Sequence, residues 1–173
     1  FKTMKSYIPK GLNMKHLGMF MNKTFSGRLT QDKIKALRDA WKGNLVIKGI
    51  VNPEEADLAI KLGLDGLIVS NHGGRQLDSG RSTIASLDTL QAYKGKIKIM
   101  MDSGLRSGPD IANALASGAD FTFVGRAPMY GVGALGKQGG NHTFTMLKRQ
   151  LQQVMEQVAC EQVKDFPNHL IGQ

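Results

Sequence analysis

The sequence predicts an α/β fold in which helices alternate with parallel strands that are buried on both faces. Three observations lead to this prediction. From Thr30 onward helical and apolar segments alternate, a short repeat joins a helix to the strand that follows it, and polar residues follow each predicted strand. Such a pattern is typical of a barrel or of another layered α/β array. With 173 residues, 41% of them hydrophobic, the chain is long enough to form one core.

Capping signals separate the predicted helices from one another. The first helix begins after the N-cap Thr30, and the second has Asn52 as its N-cap, Pro53 at its first helical position and Gly63 as its stop. The predicted helices cover 30–41, with Ile34, Leu37 and Trp41 at helical spacing, and 52–63, 82–93 and 108–118. A long closing helix is predicted to present Phe144, Leu147, Leu151, Val154, Met155 and Val158 on one face. The predicted strands lie within 45–49, 66–70, 97–104 and 121–126.

An internal repeat supports the alternation of helices and strands. The segments AIKLGLDGLIVS (59–70) and ALASGADFTFVG (114–125) share Ala, Gly, Asp and Val in one register, at an offset of 55 residues. Each segment runs from the end of a predicted helix, through a glycine, into a predicted strand. The repeat therefore favours a recurring strand and helix unit.

The formal net charge of +9 is concentrated near the start of the sequence. Residues 1–31 contain no Asp or Glu, and their basic residues are Lys2, Lys5, Lys10, Lys15, Lys23 and Arg28, interleaved with Met4, Met14, Met19 and Met21. No aromatic and basic repeat or zinc-ligand spacing accompanies these charges. A solvated basic loop is therefore favoured over a DNA or RNA surface, and attraction to anions or to a membrane surface is left open.

The remaining composition indicates an ordinary globular chain. No run approaches the ~18 apolar residues that a membrane span requires, and no charged-then-apolar leader opens the sequence, so a cytoplasmic location is expected, with peripheral membrane association as the alternative. Cys160 lies on or beside an apolar helix face and is predicted to be an inert core thiol. His16, His142 and His169 are expected to be surface or packing residues, and no metal site is predicted.

Polar residues follow the end of each predicted strand. In order along the chain they are Lys48; Ser70, Asn71, His72 and Arg75; Asp102, Gly104 and Arg106; and Gly125 and Arg126. Because the carboxyl ends of parallel strands lie at one edge of the sheet, these residues are expected to converge on a single site.

Two of these groups fit an anion. The glycines in DSGLRSG and VGR allow backbone N–H groups to approach a phosphate, and Arg106 and Arg126 can add charge-assisted hydrogen bonds. The helix that begins near Pro109 is expected to offer its positive end.

The other groups fit acid–base and redox chemistry. His72, followed by two glycines, has an open approach to a ligand and an ordinary pKa of about 6.5, which suits proton transfer near neutrality. Arg75 can bind a carboxylate through two hydrogen bonds. Lys48 offers a fixed charge to a cofactor that becomes anionic, although a lysine at a strand end also extends to solvent for no functional reason. A single histidine in a loop is more often a turn residue than a catalytic base. The presence of Arg75 nearby favours a catalytic role for His72.

The motifs LVIKGI, DGLIVSNHGGRQLD, MDSGLRSGPDIANALASGAD, VGRAPMYG and VACEQVKDF resemble those of the FMN-dependent 2-hydroxy-acid oxidases and dehydrogenases. This family includes glycolate oxidase, lactate oxidase, L-lactate dehydrogenase and mandelate dehydrogenase. The resemblance covers about residues 30–165, and SNHGGRQLD is its most specific motif. It implies a (β/α)8 TIM barrel that binds FMN, of which this chain holds about the last four βα units, since a whole barrel needs ~250 residues.

The resemblance implies a role for each matched residue. His72 would take a proton from an L-2-hydroxy acid of the lactate or glycolate type while a hydride equivalent passes to flavin N5, and Arg75 would hold the substrate carboxylate. Lys48 and Ser70 would contact the isoalloxazine. The ribityl chain and phosphate would be held by Asp102, Ser103, Gly104, Leu105, Arg106, Gly125 and Arg126. Ser103 stands where many members have glycine, and its hydroxyl is expected to be able to donate to the flavin.

The resemblance also divides the chain and leaves alternatives open. Residues 1–29 occupy the place of the family's long, mobile active-site loop, and residues 30–173 would form the C-terminal half of the barrel. No residue here matches the aspartate, tyrosines and second arginine that the family's other half supplies. The chain is therefore expected to be part of an oxidoreductase, as a piece of a longer product or paired with a second copy or a complementary half, with oxygen, a quinone or a cytochrome as electron acceptor. The alternative is a non-catalytic FMN- or phosphate-binding half barrel or an inactive fragment, which the presence of His72 and Arg75 disfavours.

Overall fold

A computed structural model describes residue 11 and residues 17–24 and 27–169. The chain forms two compact units, Phe1–Ala36 and Leu37–Gln173. The first unit contains helix α1 (Leu17–Thr24) and most of helix α2 (Gln31–Ala40). Most of the predicted basic loop, and His16 with it, lies outside the described residues, so that expectation stays a prediction. Helix α1 falls within the predicted loop, because Leu and Met are strong helix formers and no proline interrupts the segment.

The second unit is built on a four-stranded parallel sheet. Its strands are β1 (Val46–Ile50), β2 (Gly66–Val69), β3 (Lys98–Met101) and β4 (Phe121–Thr122), in the spatial order β1-β2-β3-β4. Neighbouring strands pair in parallel throughout. Consecutive parallel units in chain order are the arrangement of a (β/α)8 barrel, so the predicted partial barrel is confirmed.

Helices follow the strands and cover the sheet. They are α3 (Pro53–Lys61), α4 (Thr83–Thr89), α5 (Gly108–Ala116), α6 (Arg126–Leu135) and α7 (Gly139–Gln157), with 3-10 turns at His72–Gly74, Gln91–Tyr93, Gly136–Gln138 and Val163–His169. The predicted caps are confirmed: Lys33 N donates to Thr30 Oγ1 (3.4 Å) and Glu55 N donates to Asn52 Oδ1 (2.9 Å). None of the described helices is long and apolar enough to cross a membrane.

The internal repeat corresponds to a repeated contact at the start of two strands. Asp65 Oδ2 accepts from Leu45 N (2.7 Å), and Asp120, 55 positions later, accepts from Ile99 N through Oδ2 (2.8 Å). Asp65 also pairs with Arg38 at 2.8 Å. The hydrogen bond from Leu45 N, followed by the one from Arg38, lowers the pKa of Asp65. The shared aspartate therefore anchors each repeat to the preceding strand in the sheet.

Packing on helix α7 differs in part from the prediction. Its buried residues Gly139, Thr143 and Leu147 recur every four positions, and Gly139 and Thr143 lie against Gly131 of α6. Leu151, Val154 and Met155 pack on a buried cluster that consists of Ala112, Leu115, Cys160 and Phe166. Phe144 is 54% exposed and Val158 is 39% exposed, so these two members of the predicted apolar face do not belong to the core. Phe144 is the residue after Thr143, so it does not belong to the row of α7 residues, Gly139 and Thr143, that contacts α6.

Three smaller expectations have clear outcomes. Cys160 is buried in the cluster with Ala112, Leu115 and Phe166, as predicted, and its thiol donates to Gln162 O (3.1 Å). Of Ile34, Leu37 and Trp41, which stand at helical spacing in the sequence, only Ile34 is buried. Trp41 lies beyond the end of α2, and its indole N–H donates to Asn44 O (3.0 Å). His142 and His169 are exposed, as predicted.

Substitution of Gly108 by Ala is expected to destabilise the second unit by about 1–3 kcal/mol, because an added methyl overpacks a close helix contact. Gly108 N donates to Gln150 Oε1 (2.9 Å), and a Cβ here would overlap the backbone of Gln150 and Leu151 in α7. Urea unfolding measures the loss. The matched control is Gly133→Ala in α6, where a Cβ meets nothing within 4 Å and stability should be unchanged or slightly raised. Equal stability of the two variants would contradict the packing assigned to Gly108.

Candidate active site

A cavity of about 200 Å³ opens at the carboxyl edge of the sheet. Its lining consists of Lys48, His72, Gly73, Arg75, Asp102, Ser103, Gly104, Leu105, Arg106, Phe123, Val124, Gly125, Arg126 and Met129. Of the residues named from the sequence, all but Ser70 and Asn71 are in this set, and Ser70 accepts hydrogen bonds from two of its members, Lys48 and His72. The predicted convergence of the strand ends is therefore confirmed.

Lys48 lines the cavity, and its ammonium is held by side chains that follow two other strands of the sheet. Its Nζ lies 2.9 Å from Asp102 Oδ2 and donates to the buried Ser70 Oγ at 2.9 Å. The pairing register of β1 shifts between Lys48 and Ile50, where Gly49 has φ +103°, and a bulge of this kind redirects the preceding side chain. The ammonium is thus held in place and does not simply extend into solvent.

Asp102 remains ionised because several groups favour its charged form. Burial raises its pKa, but hydrogen bonds from Ser70, Lys48 and Ser103 and the charge of Lys48 outweigh burial, so the pKa of Asp102 is lowered. The base of the cavity therefore carries a hydrogen-bonded ion pair.

The stability of the chain is expected to fall more steeply in acid than that of Asp102→Asn. Because the folded-state pKa of Asp102 is lowered from 3.8, this carboxylate stabilises the fold above that value, and the stabilisation is lost as the pH falls through the lowered pKa. The difference should be on the order of 1 kcal/mol near neutrality and disappear in acid. Urea unfolding over a pH series measures it, with Asp88→Asn, an exposed change on α4, as the control. Parallel stability curves for Asp102→Asn and the unsubstituted chain would contradict this assignment.

His72 lies on a left-handed turn at the mouth of the cavity. His72, Gly73 and Gly74 have φ values of +58°, +69° and +74°. His72 N donates to Ser70 Oγ (3.2 Å), and Gly73 N donates to Asn71 Oδ1 (3.0 Å). A histidine at positive φ is uncommon and costs free energy, so these bonds stabilise the backbone of the turn that carries the exposed imidazole.

Two arginines flank this turn. Arg75 Nη2 lies 3.4 Å from His72 Nε2, so the guanidinium and the imidazole face the same space. Arg126 Nη2 donates to Gly73 O (3.0 Å), and a Cβ on Gly73 would lie 2.8 Å from that atom. Gly73 is therefore needed for the close approach of Arg126 as well as for its backbone conformation.

The free helix N-terminus at the cavity belongs to α6, so the expectation for the helix near Pro109 is corrected. The start of α5 is closed by a capping box, in which Asp110 N donates to Ser107 Oγ (3.2 Å) and Ser107 N donates to Asp110 Oδ2 (2.9 Å). Helix α6 has Gly125 as its N-cap without a side-chain cap, and Gly125 and Arg126 line the cavity. Its unpaired N–H groups and positive dipole end are available to an anion.

Sequence reasoning missed four lining residues, Gly73, Phe123, Val124 and Met129. Gly73 belongs to the SNHGG motif and was available to it, whereas Phe123 and Val124 were assigned to the buried strand. Met129 lies on α6, a helix that the sequence did not predict. Among residues 11, 17–24 and 27–169 no group of three or more His, Cys, Asp or Glu side chains could hold a metal ion.

Comparison with known proteins identifies the family to which this cavity belongs. The family model for FMN-dependent dehydrogenases matches residues 3–173. The chain belongs to the FMN-dependent dehydrogenase family. The resemblance seen in the sequence motifs is thereby confirmed, and FMN is the cofactor of this family.

Relatives of this FMN-dependent dehydrogenase chain include bacterial L-lactate dehydrogenases. It is 38% identical to that of Actinobacillus pleuropneumoniae serotype 5b (strain L20), over 95% of this chain and 43% of the relative. It is 34% identical to that of Alcaligenes faecalis, over 98% of this chain and 45% of the relative. The chain thus spans less than half the length of these relatives.

Solved structures of mandelate oxidase share the fold. A complex with 3,3-difluoro-2-hydroxy-3-phenylpropionic acid superposes with a TM-score of 0.77 at 34% identity, covering 81% of this chain and 43% of that structure. A complex with (S)-2-phenylpropionate gives a TM-score of 0.76 at 34% identity, covering 80% of this chain and 42% of that structure.

Proposed function

We propose that the cavity at the carboxyl edge binds FMN and supports oxidation of an L-2-hydroxy acid, of the lactate or glycolate type, to the 2-oxo acid. The observation that carries this proposal is the convergence on one cavity of the His72 imidazole, the Arg75 guanidinium and the ion-paired Lys48. Relatives named L-lactate dehydrogenase and structural neighbours named mandelate oxidase support this class of substrate.

The residues at the cavity fit a flavin nucleotide. A Cβ on Gly104 or Gly125 would meet no protein atom within 4 Å, so open space lies beside both backbones. Arg106, Arg126 and the start of α6 surround that space with the charge and N–H donors that a phosphate requires. We assign the ribityl chain and phosphate to Asp102, Ser103, Gly104, Leu105, Arg106, Gly125 and Arg126, and the isoalloxazine to Lys48 and Ser70.

In this proposal each remaining residue has one chemical role. Bound FMN supplies the two-electron acceptor that no side chain of the chain provides. Arg75 binds the substrate carboxylate and orients the substrate toward the imidazole of His72. His72 would take one proton from the 2-hydroxy acid, and the hydride equivalent that completes its oxidation to the 2-oxo acid would go to the acceptor. Lys48, paired with Asp102, would stabilise negative charge on the acceptor.

Replacement of Arg75 by Lys is expected to raise the substrate concentration needed for half-maximal oxidation by about 10-fold or more, with a smaller effect on the maximal rate. Lys keeps the charge but cannot form the planar pair of hydrogen bonds to a carboxylate. Steady-state kinetics with L-lactate measure both quantities, and Arg81→Lys, an exposed arginine outside the lining, is the matched control. Unchanged kinetics in Arg75→Lys would remove Arg75 from the substrate site.

The reaction is tested by product formation. The chain is incubated with FMN, L-lactate and an artificial electron acceptor, and the 2-oxo acid is measured. We expect 2-oxo acid in proportion to the acceptor reduced, and none when D-lactate replaces L-lactate. FMN binding without 2-oxo acid would instead favour the non-catalytic half barrel.

We propose further that the open edges of the sheet pair with complementary strands, from a second copy of this chain or from a complementary barrel half. Among the described residues β1 and β4 each pair with only one strand, and unpaired edges favour association. Apolar side chains at these edges are solvent-exposed, with Val46 at 41% and Phe121 at 56%.

Oxygen, a quinone or a cytochrome would serve as the final electron acceptor.

A further inference from the structure

Ser103 has a backbone conformation that a glycine would adopt more easily. Its φ is +72°, and the following Gly104 has φ +82°. A side chain with a Cβ in the left-handed region carries a steric cost that glycine does not. Strain of this kind persists only where surrounding contacts hold it, and it clusters at functional sites. The contacts of the Ser103 hydroxyl should therefore show which interactions hold this residue in its unfavourable conformation.

The hydroxyl of Ser103 connects two parts of the cavity. Its proton is donated to Asp102 Oδ1 (2.7 Å), and its oxygen accepts from Gly73 N (3.0 Å). The proton is thus already committed to Asp102, which revises the expectation that Ser103 donates to a flavin. One side of the link is the carboxylate that pairs with Lys48, and the other is the peptide next to His72.

We propose that Ser103 is a positioning residue that holds the His72 turn in register with the Lys48 and Asp102 ion pair. This inference rests on the proposed function, since the turn carries the proposed base and the ion pair faces the proposed cofactor. Hydrogen bonds connect Lys48 to Asp102, Asp102 to Ser103, and Ser103 to the Gly73 peptide. A displacement or loss of charge at Asp102 is therefore transmitted to the backbone beside His72.

If Ser103 had a purely structural role, removing its hydroxyl would chiefly lower the stability of the fold. The turn has further supports, because Gly73 N also donates to Asn71 Oδ1 (3.0 Å) and His72 N donates to Ser70 Oγ (3.2 Å). Removal of the Ser103 hydroxyl should leave these bonds and the fold intact. Ser103→Gly also removes the steric cost of the positive φ, so the melting temperature of this variant should not fall. The link between Asp102 and the Gly73 peptide is nevertheless lost.

The first test is a double-mutant cycle read by NMR on the full chain. Asp102→Asn is made in the unsubstituted chain and in Ser103→Ala, and the amide signal of Gly73 is followed. We expect Asp102→Asn to shift this signal when Ser103 is present and the shift to disappear when position 103 is alanine. An equal shift in both backgrounds would overturn the proposal. This readout requires neither flavin nor turnover, so it is independent of the proposed function.

The second test separates the positioning of the His72 turn from the binding of FMN. For Ser103→Gly and Ser103→Ala at saturating FMN, where flavin affinity no longer limits the rate, we expect flavin reduction at saturating L-lactate to be at least about tenfold slower than in the unsubstituted chain. Ser82→Ala is the control, because Ser82 caps α4 without a side-chain hydrogen bond and lies outside the cavity lining. An unchanged reduction rate in both Ser103 variants would overturn the proposal. If the unsubstituted chain reduces no flavin, the proposed function fails, and the NMR cycle still decides the role of Ser103.

Discussion

Replacing His72 by Gln is expected to lower the rate of flavin reduction by about 10²–10⁴-fold, the contribution of a positioned general base. Flavin affinity should stay within about threefold, because the contacts that tie this residue to the cofactor side of the cavity are made by its backbone. His72 N donates to Ser70 Oγ, and the imidazole itself faces Arg75. Anaerobic rapid-mixing absorbance measures the reduction rate, and flavin fluorescence measures the affinity.

His72→Asn provides the second variant for this prediction. At φ +58° Asn is better tolerated than Gln, so it removes the base with less disturbance of the turn. His142→Gln, an exposed substitution on α7, should retain the full rate. If both His72 variants kept the full rate, or if they lost flavin affinity as strongly as rate, His72 would not be the base.

Replacing Gly125 by Ala is expected to weaken FMN binding by about 10–100-fold, the effect of overpacking a ligand contact by one methyl group. The methyl would project into open space beside the first turn of α6, where we place the phosphate. Gly125 has φ −117°, which an alanine adopts without strain, so the fold should tolerate the change. Flavin fluorescence quenching measures the affinity, and urea unfolding confirms the stability.

Gly133→Ala is the matched control for this substitution. Gly133 lies on the same helix, and its added methyl also meets nothing within 4 Å, but it lies outside the cavity lining. FMN affinity should be unchanged in this variant. Equal affinity of the two variants for FMN would contradict placement of the phosphate at the start of α6.

Much of the fold could be predicted from local sequence signals. The N-caps Thr30 and Asn52 and the buried run at β2 are encoded within a few residues, so pattern and propensity were sufficient. Helix α6 was missed because Pro128, Gly131 and Gly133 give it a poor intrinsic propensity. Packing overrides that propensity, since Gly131 and Gly139 allow α6 and α7 to approach closely.

The sequence was sufficient to predict which residues form the candidate site, but not which contacts they make with one another. Position after a parallel strand was enough to identify His72, Lys48 and Arg126. The pairing of Lys48 with Asp102 depends on the register of three strands, and the link from Ser103 to Gly73 depends on two left-handed turns. Such long-range geometry has no signature in the sequence around either residue.

The most direct test of the central claim is an anaerobic absorbance titration of the chain with FMN, followed by addition of L-lactate. Binding should change the flavin spectrum to that of a protein-bound form, and L-lactate should then bleach its visible band. Bound flavin that is not bleached by L-lactate or glycolate, or a flavin spectrum unchanged by the chain, would contradict the assignment of this cavity to oxidation of a 2-hydroxy acid.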